Sequence, residues 1–223
     1  MAYDLHGTWD AQSKFVGPYI APHTNLTEID LALDLLWRAG VDSSKVVLGQ
    51  GWYGRSFTLK DPSCSTPNGV CQFTGGAAAG PCSQASGILD YQEIANVITQ
   101  YKLTPTWDHT AGVKWIHWNS NQWVSYDDGD TFKQKRDLAN ERCLGGLMVW
   151  AMDQVDQTAN NGFGASERRP ADCRQSRQHE VLCVRLQCRL QGWHHRGGRV
   201  QRTTWPDQHQ WTLRKEDIPQ LVL

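Results

Sequence analysis

Two short apolar runs constrain the fold of this chain more than any other feature. Val46-Val47-Leu48-Gly49 and the run GGLMVWAM at residues 145–152 contain no polar side chain. Runs of that length and composition read as strands buried on both faces, the pattern of a parallel sheet covered by helices. A helical stretch leads into each. Before the first, Thr27 is expected as the N-cap, with Glu28 and Asp30 in the first turn, where the helix dipole favours negative charge. Ile29, Leu31, Leu33, Leu35, Leu36 and Trp37 form its apolar side and Gly40 is the stop signal. Before the second, residues 130–142 form a charged helix, with Lys133, Lys135, Arg136 and Asp137 placed on a solvated side.

The first ten residues, MAYDLHGTWD, add a third strand. Met1, Tyr3 and Leu5 alternate with Ala2, Asp4 and His6 until Gly7 breaks the pattern and Trp9 follows in a loop. A strand that delivers Tyr-Asp to its carboxyl end, with an aromatic just beyond, suits the mouth of a barrel enzyme. His6 reads as a hydrogen-bonded structural histidine rather than an acid or base. Residues 11–25 are loop, because Gly17-Pro18 and Pro22 prevent regular structure.

Between the two apolar runs the character changes. Residues 55–59 alternate as a strand, and a helix is expected from Tyr91 to Tyr101 with Ile94, Val97 and Ile98 on one face. Residues 113–126 form a β-hairpin turning at Asn119-Ser120-Asn121. Trp115, Trp118 and Trp123 are expected to pack this hairpin. The order is therefore strand–helix–strand, an inserted α+β region, then helix–strand, which indicates β/α architecture with about three core strands. A closed eight-stranded barrel needs about five more.

Seven cysteines bear on redox state. Cys64, Cys71 and Cys82 cluster in a Gly/Pro/Ser-rich loop, as in a disulfide-stapled extracellular segment. Any of three pairs is open, with the remaining cysteine left for Cys143 or another partner. Asn25-Leu26-Thr27 is a glycosylation sequon.

Net charge is −1 and gives no electrostatic indication of nucleic acid, but the average hides a split of −6 up to Gly164 and +5 from Ala165. Ten of the eleven late basic residues are arginine. Cys183, Cys188, His194 and His195 lack the tight, paired spacing of a zinc site. The abrupt change in Arg:Lys usage reads as a shifted reading frame or unspliced sequence, with residues 165–223 expected to be an atypical, disordered tail. No apolar run approaches the ~20 residues needed to span a bilayer. The start of the chain carries no basic flank and apolar core of a signal peptide.

Four segments in order, MAYDLHGTWD, VVLGQGWYGRSFTL, GILDYQEI and GGLMVWAMDQVD, resemble the carboxyl-terminal part of glycoside hydrolase family 18 chitinases, and most nearly the large fungal type resembling the killer-toxin alpha subunit. The resemblance covers residues 1–164. It implies an α/β fold: strands six, seven and eight of a TIM (β/α)8 barrel at residues 1–52 and 129–164, and an α+β insertion domain at 53–128. It implies hydrolysis of β-1,4-linked N-acetylglucosamine, with the substrate's own acetamido oxygen attacking the anomeric carbon. It implies no cofactor and no metal, chitin or chito-oligosaccharide as partner, an extracellular location, a monomer, and no membrane or nucleic-acid role.

The resemblance also implies site residues. Tyr3 corresponds to the tyrosine that steadies the acetamido group, and Asp4 to the carboxylate that stabilises the developing oxazolinium. Met1 corresponds to a subsite wall and Trp150 to the tryptophan floor. Tyr53 and Arg55 match groove residues, Trp9 an aromatic on the leaving-group side, and Trp107 and Asp108 line the wall that the insertion adds. The family's proton-donating Glu ends a DxxDxDxE motif. None of Glu28, Glu93, Glu141, Glu167, Glu180 and Glu216 lies in such a motif. The expectation is half a site, inactive alone, with Met1 an interior strand methionine.

Overall fold

The computed structural model describes residues 1–154. The readings of residues 155–223, including the arginine-rich tail, its zinc-like spacing and the shifted frame, lie outside the described residues.

The two apolar runs pair as expected. Strands β1 (Val47–Gly51) and β8 (Gly146–Trp150) run parallel, in register from Val47 opposite Gly146 to Gly51 opposite Trp150. Helices α1 (Leu26–Arg38) and α3 (Gly129–Glu141) precede them and pack with them around Ile29, Leu33, Leu48 and Ala139. Parallel neighbours need such crossover helices, because no hairpin can return the chain in the same direction.

The inserted region is an antiparallel sheet. Strand β2 (Tyr53–Leu59) is its centre, with β7 (Gln122–Tyr126) on one side. Strands β3 (Phe73–Gly76) and β4 (Ile88–Asp90) share its other side, and β6 (Val113–Trp118) and β5 (Thr106–Asp108) extend the sheet beyond β7. One core forms where Ile20, Phe57, Phe73 and Trp123 meet, with Trp115 against it; Leu89, Ile94, Ile116, Val124 and Tyr126 form the other, with Trp118 against it. The three tryptophans thus pack the hairpin. Positive φ at Asn119 and Ser120 makes the turn between β6 and β7.

Helix α2 (Tyr91–Tyr101) begins and ends where the sequence places it. Asp90 caps it, its Oδ1 accepting from Glu93 N–H while Glu93 Oε2 accepts from Asp90 N–H, a reciprocal capping box. Trp52, fully buried between Tyr91 and Phe132, stands at the junction of the parallel pair and the antiparallel sheet.

Several expectations are corrected. Residues 1–5 form no strand ladder: the N–H groups of Asp4 and Leu5 go to His23 instead of to a neighbouring strand. The N-cap of α1 is Asn25, not Thr27, because the Asn25 side chain accepts from Thr27 N–H. Its amide nitrogen also donates to Glu28, so both ends of the sequon amide are engaged. Trp9 lies in a short 3-10 helix, Thr8–Gln12, within the segment read as loop. Lys135 is not solvated but buried, its Nζ donating to Asp127 and, at 2.7 Å, to the Gly112 carbonyl. Strand β8 is not enclosed: Met148 and Trp150 are exposed, β1 being its partner among the described residues. Of the three open cysteine pairs, Cys64–Cys71 is the disulfide, and Cys82 is exposed outside it. Among the described residues, no helix is long and apolar enough to cross a membrane.

The Lys135–Asp127 pair ties α3 to the end of β7 with both side chains buried. Removing one partner strands the other. Lys135→Ala is expected to lower the unfolding free energy by roughly 3–5 kcal/mol in urea denaturation, and Lys135→Met combined with Asp127→Leu to lower it by much less. Equal losses would show that the pair is not what holds this junction.

Candidate functional site

The site is built on glycine. A Cβ at Gly49 would lie 3.0 Å from the Tyr3 ring, and one at Gly51 would lie 3.0 Å from the Tyr53 ring and 3.3 Å from Tyr3 Cβ. Bare backbone on β1 therefore lets both tyrosines lie against the strand. Their rings meet edge to face at 6.0 Å. Both are buried.

Asp4 follows Tyr3 with φ of 62°, a left-handed conformation that aspartate tolerates better than most residues. That turn presents its carboxylate to β2. Arg55 donates from Nε to Oδ1 at 2.9 Å and from Nη2 to Oδ2 at 2.8 Å. The Tyr53 hydroxyl donates to Oδ1 at 2.6 Å. The planar guanidinium matches the carboxylate with two parallel bonds, which sets orientation as well as charge. His23 is fully buried beneath, with Nδ1 3.6 Å from Asp4 Oδ1 and Nε2 3.0 Å from the Tyr53 carbonyl.

Burial alone would push the Asp4 carboxyl up. The Arg55 and Tyr53 hydrogen bonds and the guanidinium charge outweigh it and hold the carboxyl below the usual carboxylate range. Burial, then the hydrogen bond to Asp4 and its negative charge, push the Tyr53 hydroxyl far up. Burial and then the Asp4 charge raise Tyr3. The cluster thus combines an ionised carboxylate with two protonated phenols at neutral pH.

Trp9 closes one side. Its ring lies over the Arg55 guanidinium at 4.8 Å and is itself half exposed. It folds across Gly7, where a Cβ would lie 2.2 Å from the ring. Trp150 stands at the carboxyl end of β8, in register with Gly51, with its carbonyl accepting from Trp52 N–H at 2.8 Å and its side chain more than half exposed. Met1 is exposed, with its Cα 3.4 Å from the position a Cβ would take on Gly49.

Tyr3, Asp4, Trp9, Tyr53 and Arg55 are therefore brought together, and Met1 and Trp150 lie along β1 beside them. Trp107 and Asp108 have other attachments. The Trp107 ring stacks on His109 at 4.1 Å and carries Lys114 Nζ 5.0 Å from its centre. Asp108 Oδ1 accepts from Thr110 and Ala111 N–H, closing the turn between β5 and β6. His23 is the residue that sequence reasoning missed. It sits in an irregular stretch with no periodic signal, and its role exists only through contacts with Asp4 and Tyr53.

The glutamates among the described residues are Glu28, Glu93 and Glu141. Glu28 is bound to His6 and Asn25, Glu93 receives three backbone N–H groups at the start of α2, and Glu141 is exposed at the end of α3. Cys82, Asp90 and Glu93 approach one another closely enough to hold a cation, but Asp90 and Glu93 are already committed to the capping box.

With this geometry in place, comparison with known proteins is direct. The model of the glycosyl hydrolases family 18 matches residues 1–154, and the chain belongs to that family. A Penicillium expansum protein named secreted chitinase LysM12 is 33% identical over 171 residues, covering 69% of this chain and 11% of its own length. Chitotriosidase-1 of Mus musculus is 33% identical over 162 residues, covering 70% of this chain and 33% of its own. Among solved structures, a family 18 chitinase from Cycas revoluta in complex with allosamidin superposes with a TM-score of 0.57 at 28% identity, over 69% of this chain and 41% of that one. Human YKL-39, described as a pseudo-chitinase with retained chitooligosaccharide binding, superposes with a TM-score of 0.63 at 28% identity, over 72% of this chain and 44% of that one. The chain thus spans well under two thirds of these relatives. Its α/β fold is part of their TIM barrel, together with the inserted sheet.

Because the folded-state pKa of Asp4 is depressed, its ionised form contributes stability that is complete above the ordinary 3.8 and lost as pH falls through the depressed value. Asp4→Asn is expected to be less stable than the parent at pH 7, with the gap closing in acid below 3.8. Thermal melts between pH 2 and pH 7 check this. A gap that persists unchanged in acid would assign the loss to something other than the carboxylate charge.

Proposed function

We propose that this chain carries the acetamido-handling half of a chitin-hydrolysing site. The observation that supports it is an ionised Asp4 bracketed by Tyr3, Tyr53 and Arg55 and adjoined by Trp9. In the reaction of such a site, the acetamido oxygen of the substrate attacks its own anomeric carbon. The bond to the leaving sugar breaks and a cyclic oxazolinium forms. That ion is positive and planar. Asp4, kept ionised, offsets the developing charge, and Tyr3 hydrogen-bonds the acetamido group and fixes its direction of attack. Trp150 offers an apolar face beneath the reacting sugar, Trp9 one on the leaving side, and Met1 a wall. Arg55 and Tyr53 hold Asp4 and border the groove. The location is extracellular, in keeping with the Cys64–Cys71 disulfide and with the name of the Penicillium relative.

The leaving oxygen also needs a proton. The 223 residues contain no DxxDxDxE motif. Loss of a positioned general acid costs on the order of 10²–10⁴-fold. The reading is therefore a chain that binds chito-oligosaccharide and does not hydrolyse it by itself. A purely chito-oligosaccharide-binding role is the second reading, and the description of human YKL-39 favours it.

Calorimetric titration of the purified chain with N-acetylglucosamine tetramer is expected to show binding that Trp150→Ala weakens by roughly tenfold, the size of one aromatic platform. Turnover of a fluorogenic chitobioside is expected to stay at background. Heat-free titrations would sink the binding reading, and turnover above background would show that a proton donor is present.

A further inference from the structure

One cluster beside the site is not used by the chemistry above. His6 Nδ1 lies 2.9 Å from Asp10 Oδ2, and His6 Nε2 lies 3.1 and 3.2 Å from the two oxygens of Glu28. Both partners are carboxylates, which in their ionised forms only accept. A neutral imidazole donates from one nitrogen, so satisfying both requires the imidazolium. We propose that His6 is a positioning residue for the leaving-side aromatic: as a doubly donating imidazolium it joins Asp10 to Glu28 and so fixes the turn that carries Trp9 over Arg55.

The connections run in one unbroken line. Asn25, the cap of α1, donates to Glu28 Oε1 at 3.0 Å and holds that carboxylate at the helix start. His6 links Glu28 to Asp10. Asp10 closes the turn, its Oδ2 accepting from Gly7 N–H at 3.3 Å and its own N–H donating to the Gly7 carbonyl at 3.1 Å. Trp9 lies inside that turn, pressed on Gly7, with its ring facing the Arg55 guanidinium that holds Asp4. The groups facing His6 are therefore Asp10 from its own turn and Glu28 from α1; beyond the Trp9 ring stand Arg55 and Asp4. Asp10 and the His6 side chain are largely shielded from water, so loss of one hydrogen bond there is not simply replaced by solvent.

Burial opposes the charge on His6, but the hydrogen bonds and negative charges of Asp10 and Glu28 prevail and push its pKa up to about 9. The sign follows. The stability that protonated His6 contributes is complete below its ordinary 6.5 and is lost as pH rises through about 9. Above that, His6 keeps one carboxylate partner and releases the other, and the Trp9 turn loosens.

This inference rests on the proposed groove role of Trp9, and the test separates the two. Affinity for N-acetylglucosamine tetramer and intrinsic tryptophan fluorescence would be followed from pH 6 to pH 10 in the parent chain, His6→Gln and Trp9→Phe. The parent is expected to lose affinity by roughly tenfold through pH 9, the scale of one hydrogen bond to a charged group. His6→Gln is expected to bind at the reduced level throughout, with no step. The fluorescence step near pH 9 is expected in the parent and absent in both variants. Parent-like affinity and pH profile in His6→Gln would overturn the proposal. If His6→Gln does not fold, the parent against Trp9→Phe still decides it, since a step that survives without Trp9 places the event elsewhere. If no tetramer binds at any pH, the groove reading fails, while the fluorescence step still tests His6.

Discussion

The bidentate pair between Arg55 and Asp4 is the interaction on which the described structure turns. It joins the opening segment, which has no ladder of its own, to the central strand of the inserted sheet. The same guanidinium supports Trp9, and the same carboxylate accepts the Tyr53 hydroxyl. One ion pair therefore sets the position of two aromatic rings and the ionisation of the acid. Its strength comes from geometry: two parallel charge-assisted bonds at a partly shielded site.

Glycine is the other half of that construction. Gly49 and Gly51 on β1 leave room for Tyr3 and Tyr53, and Gly7 leaves room for Trp9. Side chains at these positions would push the rings away from the carboxylate. The apolar run that looks like plain strand core is thus also the surface on which Tyr3 and Tyr53 lie. Trp52, just after β1, turns the chain from the parallel pair into the antiparallel sheet and is buried where the two meet. The packing that shapes the fold and the packing that places the Asp4 cluster are continuous.

Charge burial follows context rather than sequence pattern. On α3, Lys133 pairs with Asp137 in solvent, whereas Lys135 is buried against Asp127 and Gly112. Their spacing along the helix is that of two residues on different faces, and both look solvated in a charged stretch. His6 and His23 make the same point. Each lies outside the regular elements of the structure, and each is defined by partners from elsewhere in the chain: Glu28 for one and Tyr53 for the other.

By itself the sequence determined the order and type of most elements. Local physics suffices there: the β-branched run at 46–49, the capping box at Asp90 and Glu93, and the hairpin turning at Asn119 and Ser120 all carry their signals in a few neighbouring residues. It was the resemblance of MAYDLHGTWD and VVLGQGWYGRSFTL to family 18 segments, not local physics, that pointed to Tyr3, Asp4, Trp9, Tyr53 and Arg55, which the structure brings together. Tertiary structure alone decided the rest. It chose Cys64–Cys71 among the open pairs, left β8 with one partner among the described residues, sent the N–H groups of Asp4 and Leu5 to His23, and tied Trp107 and Asp108 to their own hairpin. The physical reason is that each depends on groups far apart in the chain. A strand is a strand only when another backbone takes its hydrogen bonds, and a lysine is buried only when a carboxylate arrives to meet it.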